Sequence, residues 1–123
     1  MSVRHMAAVF ASSNQRGNRR LVLLAIADNA NDYNEAWPSF ETLGQKCLMS
    51  RSSIIRSVLD IETRGNELIS WRVQGQSNRY LVLSGLDRKA RQAAIIKFCD
   101  RQGITPQQLF EQHREQVQRY IQS

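Results

Sequence analysis

The sequence predicts a mainly α-helical fold with one small β-hairpin. Five segments carry the apolar spacing or the capping residues of helices. Two short runs typical of strands, "LISWRV" and "RYLVL", flank the turn signal "GQSN" after the third of these segments. The predicted order is therefore three helices, the hairpin and two further helices.

The first two helices are separated by a polar loop. The stretch "GNRRLVLLAIADNAND" predicts a helix capped by Asn18, with one broad apolar face. The loop ends at Pro38, and Ser39 is placed to cap a second, short helix over about residues 40–47.

The third helix divides cleanly into an apolar and a polar face. Ser50 is its predicted N-cap, and it runs to about Arg64 with Gly65 just beyond its end. At 100° per residue, the apolar arc holds Ile54, Ile55, Val58, Leu59 and Ile61, and the opposite arc holds Ser52, Ser53, Arg56, Ser57, Asp60 and Thr63.

The last two helices have strong boundary signals. The fourth is capped by Asp87 and stopped at Gly103. The fifth begins with Thr105 as cap and Pro106 in the first helical position, and Gln108 completes a capping box. Three helices followed by a hairpin is the winged helix-turn-helix layout. We assign residues 1–17 to an N-terminal arm, 18–85 to the winged domain and 86–123 to a helical extension, for dimerisation or for packing on the domain.

Composition favours a binding protein with an anionic partner. The 123 residues include 17 Lys and Arg against 11 Asp and Glu, which gives a net charge of +6. The longest apolar stretch falls far short of the roughly 18 residues of a membrane span, and we expect no secretory signal. Cys47 and Cys99 are interpreted as reduced thiols. Together these features predict a cytoplasmic location and no membrane partner.

The polar face of the third helix has the chemistry of a helix that reads double-stranded DNA. A helix fits the major groove with its N-terminal residues at the base edges. Ser52 and Ser53 are small enough to let the backbone approach. Arg56, one turn further on, is the best candidate for a guanine contact, and Arg51 beside the cap suits a phosphate.

The hairpin adds a second basic element that contains no acid. Arg72 and Arg79 flank its turn, and the residues between them are rich in hydrogen-bond donors. The candidate DNA-contacting residues are Ser39, Thr42, Ser50, Arg51, Ser52, Ser53, Arg56, Ser57, Arg72, Gln74, Gln76, Ser77, Asn78 and Arg79.

The stretches "AIADNAND", "WPSFETLG" and "SRSSIIRSVLDIE" resemble the winged helix-turn-helix family of bacterial and phage replication and regulatory proteins. The similarity covers about residues 21–83. It implies DNA contacts at Arg51, Ser52, Ser53, Arg56 and around the hairpin. Among the departures of the sequence from the family, Leu48 stands where glycine is common, and Gly44 stands where alanine is usual. Asn66 and Glu67 lengthen the link to the first hairpin strand, and Asp60 on the outer face would repel phosphate.

These observations predict a sequence-specific DNA-binding protein, as a small transcriptional regulator of bacterial or mobile-element origin. Two alternatives stay open, a replication-initiation or primosome-type module and a winged scaffold that binds a protein partner. We expect no enzyme activity, metal or cofactor, since no nucleophile elbow, phosphate loop or metal-ligand spacing is present. A homodimer through the last two helices is one role left open for them. Trp37 and Trp71 are interpreted as core residues.

Overall fold

The computed structural model describes residues 2–64 and 66–122, and they form six helices and three strands. The predicted glycine stop at Gly65 lies outside the described residues. In chain order the elements are α1 (Val3–Ser12), α2 (Gly17–Asp28), β1 (Glu35–Ala36), α3 (Phe40–Cys47), α4 (Arg51–Thr63), β2 (Leu68–Trp71), β3 (Arg79–Val82), α5 (Arg88–Gln102) and α6 (Pro106–Gln122).

Most helix ends are where their capping residues predict them. The Asp87 carboxylate accepts a hydrogen bond of 2.8 Å from the Ala90 N–H at the start of α5, and Gly103 ends that helix in the left-handed region at φ 71°. Thr105 and Gln108 form both hydrogen bonds of a capping box. Asn18 is the exception: α2 begins at Gly17 with Arg16 in the cap position, so Asn18 lies in its first turn and is not the cap.

The three strands form one antiparallel sheet in the order β1-β3-β2. Leu68 pairs with Val82 and Trp71 with Arg79, so β2 and β3 are the predicted hairpin. β1 was not predicted. It has only two residues, and it joins the sheet by pairing with β3 far along the chain, a contact for which the local sequence carries no signal.

Two apolar cores lie on opposite faces of the sheet. The larger one joins α1 to α4 with Leu68, Tyr80 and Val82 of the hairpin. The smaller one joins α5 and α6 with the alternate hairpin residues Ile69 and Leu81. Because side chains alternate across a strand, consecutive residues of β2 and β3 enter different cores, and both faces of the hairpin are buried.

The N-terminal segment contains a helix that the sequence pattern did not predict. α1 packs on α2, and its Val9 is fully buried in the larger core. His5 is also buried, with its ring nitrogens hydrogen-bonded to the side chains of Ser2 and Asn34. Residues 3–12 are therefore an ordered part of the larger core.

The C-terminal helices pack against the winged domain. α6 contacts β2, α4 and α5, and the side-chain amide of Gln112 bonds both the N–H and the C=O of Arg72, at 2.9 and 3.1 Å. At the end of α5, Arg101 forms an ion pair with Glu35 of β1. Cys47 and Cys99 are free, buried thiols, as predicted. None of the helices described is long and apolar enough to cross a membrane.

Candidate nucleic-acid interface

The first turn of α4 is exposed while its opposite face is anchored. Arg51, Ser52 and Ser53 are exposed, whereas Ile54 and Val58 are fully buried in the larger core. The apolar face of α4 is therefore packed in the larger core, and the start of the helix faces solvent. This is the arrangement that insertion into a major groove requires.

Two serine caps order the starts of α3 and α4 in the same way. The Ser39 hydroxyl oxygen accepts from the Thr42 N–H at 3.0 Å and donates to Thr42 Oγ1 at 3.0 Å. Ser50 does the same to Ser53, at 3.2 and 2.9 Å. Each cap serine thus uses its proton internally. Among the described residues, no acceptor takes the hydroxyl proton of Thr42 or of Ser53, so both protons can be donated to an acceptor such as a phosphate oxygen.

The turn between α3 and α4 keeps the left-handed geometry usual for a helix end. Leu48 occupies it at φ 53° and ψ 49°, with its side chain 92% exposed. Gly44 faces the returning chain: a Cβ there would lie 2.9 Å from the Met49 carbonyl oxygen. The glycine is therefore required at position 44, and the strained residue is accommodated at position 48.

A groove on one side of α4 joins the hairpin turn to the helix starts. It is lined by Ser39 and Arg51 and by three turn residues, Gln76, Ser77 and Asn78. The Arg51 guanidinium lies 5.2 Å from the centre of the ring of Phe40, which also lines this groove. Five predicted site residues are thus brought together around one concave surface.

Arg79 supports the same side of the interface. Its guanidinium lies 5.0 Å from the centre of the Trp37 ring. Trp37 is 50% exposed, so its interpretation as a core residue is wrong, whereas Trp71 does pack against the smaller core. Gln74 is exposed at the hairpin turn.

A second basic cluster lies on the other side of α4, and the sequence pattern did not predict it. Arg16, Asn18 and Arg19 at the start of α2 line a groove with Ser53 and Arg56. The signal for it is the run "QRGNRR". By itself this run indicates only the opening of a helix, because nothing local indicates that it lies beside α4.

Two predicted site residues differ from their predicted exposed positions. Ser57 lines the second groove but is only 6% exposed, which corrects its predicted place on the outer face. Arg72 turns toward α4 and α6. It forms an ion pair of 3.2 Å with Glu62, and α6 holds its backbone. Because α6 covers this flank, Arg72 does not extend the basic surface around the hairpin.

Asp60 of α4, which lies at the edge of the exposed surface, has a hydrogen-bond partner. The Tyr120 hydroxyl at the end of α6 donates a hydrogen bond to the Asp60 carboxylate. This hydrogen bond raises the pKa of Tyr120 above its ordinary value. Asp60 is thus engaged by α6 at the boundary of the exposed surface. Within residues 2–64 and 66–122, no three His, Cys, Asp or Glu side chains cluster to hold a metal ion.

The comparisons with known proteins give one match. A family model described as a helix-turn-helix domain matches residues 16–65, which run from the loop before α2 through the end of α4. No curated protein and no solved structure matches the chain. The matched segment contains the exposed start of α4 and the basic cluster at the start of α2.

Proposed function

We propose, from the match of residues 16–65 to the helix-turn-helix domain family, a class of DNA-binding domain, that the protein is a sequence-specific binder of double-stranded DNA. Its role is that of a small cytoplasmic transcriptional regulator of bacterial or mobile-element origin. It acts by binding and carries out no catalysis of its own.

The observation that carries this proposal is the exposed start of α4 between two basic grooves. Arg51 and the hairpin turn lie on one side, and Arg16 and Arg19 lie on the other. A helix in the major groove has a phosphate strand along each side, so positive charge on both flanks matches the duplex.

The side chains divide into those that position the protein and those that read sequence. Arg56 is exposed one turn into α4 and is assigned to a base, by bidentate donation to guanine. Arg51, Arg79, Arg16 and Arg19 are assigned to phosphates. Ser52 and Ser53 allow the backbone to approach, and Ser53 keeps its hydroxyl proton for a phosphate.

Gel-shift titrations of Arg56→Ala and Arg79→Ala test these roles. We expect Arg56→Ala to cost about 1–3 kcal/mol on the preferred duplex and to relax specificity at one base pair, whereas Arg79→Ala weakens binding to all duplexes alike. Lys97→Ala is the matched control, because Lys97 is exposed on α5, outside both grooves. Equal losses on all sequences for both arginine variants would contradict the assignment of Arg56.

Selection of bound duplexes from a random pool, with the mass of the free protein, tests the function as a whole. A defined site supports the proposal, and a palindrome together with a dimeric mass would extend it to a dimer reading two half-sites. Absence of duplex binding at about 50 mM salt would contradict it, because electrostatic binding is strong at low salt. Tight binding to a protein partner instead would favour the scaffold alternative.

A further inference from the structure

A groove lies between the hairpin and the two C-terminal helices, away from the basic surface around the start of α4. It has a volume of about 350 Å³, within the range of small-molecule sites. At the roughly 30 Å³ that a water molecule occupies, it holds about a dozen atoms or groups of that size. Neither the helix-turn-helix match nor the proposed DNA contacts account for it.

The floor and one wall of the groove are apolar. Ile69 and Leu83 of the hairpin segment form the floor, and Ile95 of α5 and Phe110 of α6 contribute from the two helices. Phe110 is 43% exposed. Phe110 therefore adds solvent-accessible apolar surface beside the apolar floor of the groove.

The helix α5 places two unpaired cations at the same groove. Arg88 and Arg91 lie one turn apart and both line it. Within the part of the chain that the structure describes, neither guanidinium has a hydrogen-bond or ion-pair partner. The arginines elsewhere at the smaller core are engaged: Arg72 pairs with Glu62, and Arg101 pairs with Glu35.

The acid that lines the groove does not offset these cations. The Glu62 side chain is 3% exposed, and its carboxylate accepts from the Ser70 hydroxyl and from Arg72. His113 of α6 also lines the groove, and burial holds the pKa of His113 below its ordinary value. The free charge facing the groove is therefore that of Arg88 and Arg91.

From this combination we infer that the groove binds a small amphipathic anion, with an apolar body on the Ile69–Leu83 floor and one carboxylate or phosphate group between Arg88 and Arg91. Charge complementarity selects the anion, and the volume limits the body to roughly eight to ten carbon-sized groups. The ligand would contact Glu62, a residue of α4 itself, which gives the site a direct connection to the recognition helix.

Calorimetric titration without DNA tests the site, with sodium octanoate, octyl phosphate and the uncharged 1-octanol as probes. We expect one of the two anions to bind at least ten-fold more tightly than octanol, and the tighter one identifies the head group. Arg88→Gln and Arg91→Gln should each weaken that anion at least five-fold and leave octanol unchanged. Lys89→Gln is the matched control, since Lys89 is exposed on α5 and does not line the groove.

Methyl-group NMR locates the bound probe. We expect shifts at Ile69, Leu83 and Ile95, with little change at the exposed Val3 and Ile121. Equal affinities for anion and alcohol would overturn the inference, as would an anion affinity unaffected by both arginine variants. Circular dichroism checks that the variants are folded. Because no DNA is present, failure here leaves the proposed function standing.

Discussion

Gly44 and Leu48 show how single residues fix the turn that places α4. Leu48 adopts a left-handed conformation at φ 53°, which costs about 1–2 kcal/mol for a residue with a Cβ. Gly44 lies in a helix, where alanine is better by about 1 kcal/mol, yet a Cβ there meets backbone and not a flexible side chain. Both departures from the family pattern therefore belong to one tight crossing of α3 over the returning chain.

Gly44→Ala is expected to destabilise the fold by about 1–3 kcal/mol despite the better helix propensity of alanine, because the Met49 carbonyl must move. Urea unfolding measures the change. Gln45→Ala, on the exposed neighbour of Gly44, should leave the free energy of unfolding within about 0.5 kcal/mol of the wild type. A Gly44→Ala protein as stable as the Gln45→Ala protein would refute the close approach.

Glu62 is expected to make stability depend on pH. Burial raises the pKa of Glu62 above its ordinary value, more than Ser70 and Arg72 lower it. Folding therefore favours the protonated carboxyl. This contribution is fully present below the unfolded-state pKa near 4.5 and is lost as the pH rises through the folded-state pKa.

Glu62→Gln removes this titration, so the free energy of unfolding of the wild type should fall relative to that of the variant as the pH rises above about 4.5. Urea unfolding of both proteins across that range gives the difference. Because the comparison is between two proteins at each pH, the other acids cancel. If the free energy of unfolding of the wild type instead rises relative to that of Glu62→Gln as the pH increases, the ion pair with Arg72 outweighs the cost of burying the charged carboxylate.

At the scale of elements, α4 depends on its cap residue, Ser50. Ser50→Ala removes the bond to the Ser53 N–H and is expected to cost about 0.5–2 kcal/mol. Ser52→Ala, two residues away and exposed, is the control and should change the free energy of unfolding little. Chemical denaturation measures both. If Ser52→Ala is as costly as Ser50→Ala, the cap is not the source of the stabilisation.

The elements that the sequence predicted correctly are those with local signals. α3, α4, α5 and α6 have capping side chains within three residues of their starts, and the hairpin has its own turn. β1 has no such signal, because it forms only through β3. The sequence does not predict α1, because its short apolar patch has no strong helix signal of its own. The helix is stabilised by the contact of Val9 with the larger core.

The same reasoning explains which candidate site residues were misplaced. The exposed start of α4 follows from helical periodicity, and the structure agrees there. Arg72 is not part of the exposed surface because Gln112 of α6, 40 residues further along the chain, binds its backbone. Arg16 and Arg19 lie next to α4 only because α2 packs beside it. Contacts between distant segments are not encoded in a local pattern.

At the scale of the whole molecule, the net charge of +6 predicts strongly salt-dependent DNA binding. The logarithm of the association constant should fall linearly with the logarithm of salt concentration, by about 0.9 for each phosphate neutralised. Arg79→Gln and Arg16→Gln should each reduce that slope by about 0.9, and Lys97→Gln should leave it unchanged. Fluorescence anisotropy over a salt series provides the slopes. Slopes unaffected by both arginine variants would remove these residues from the phosphate contacts.

The amide of Gln112 that holds Arg72 also bears on how the protein avoids self-aggregation. Among the strands in residues 2–64 and 66–122, β2 pairs only with β3. An open strand edge offers its unpaired N–H and C=O groups to a strand of another molecule. By bonding both groups of Arg72, Gln112 occupies part of that edge as a further strand would. A chain ending before α6 should therefore form oligomers in light scattering, as well as losing stability, because α6 keeps each molecule's sheet from being extended by the next.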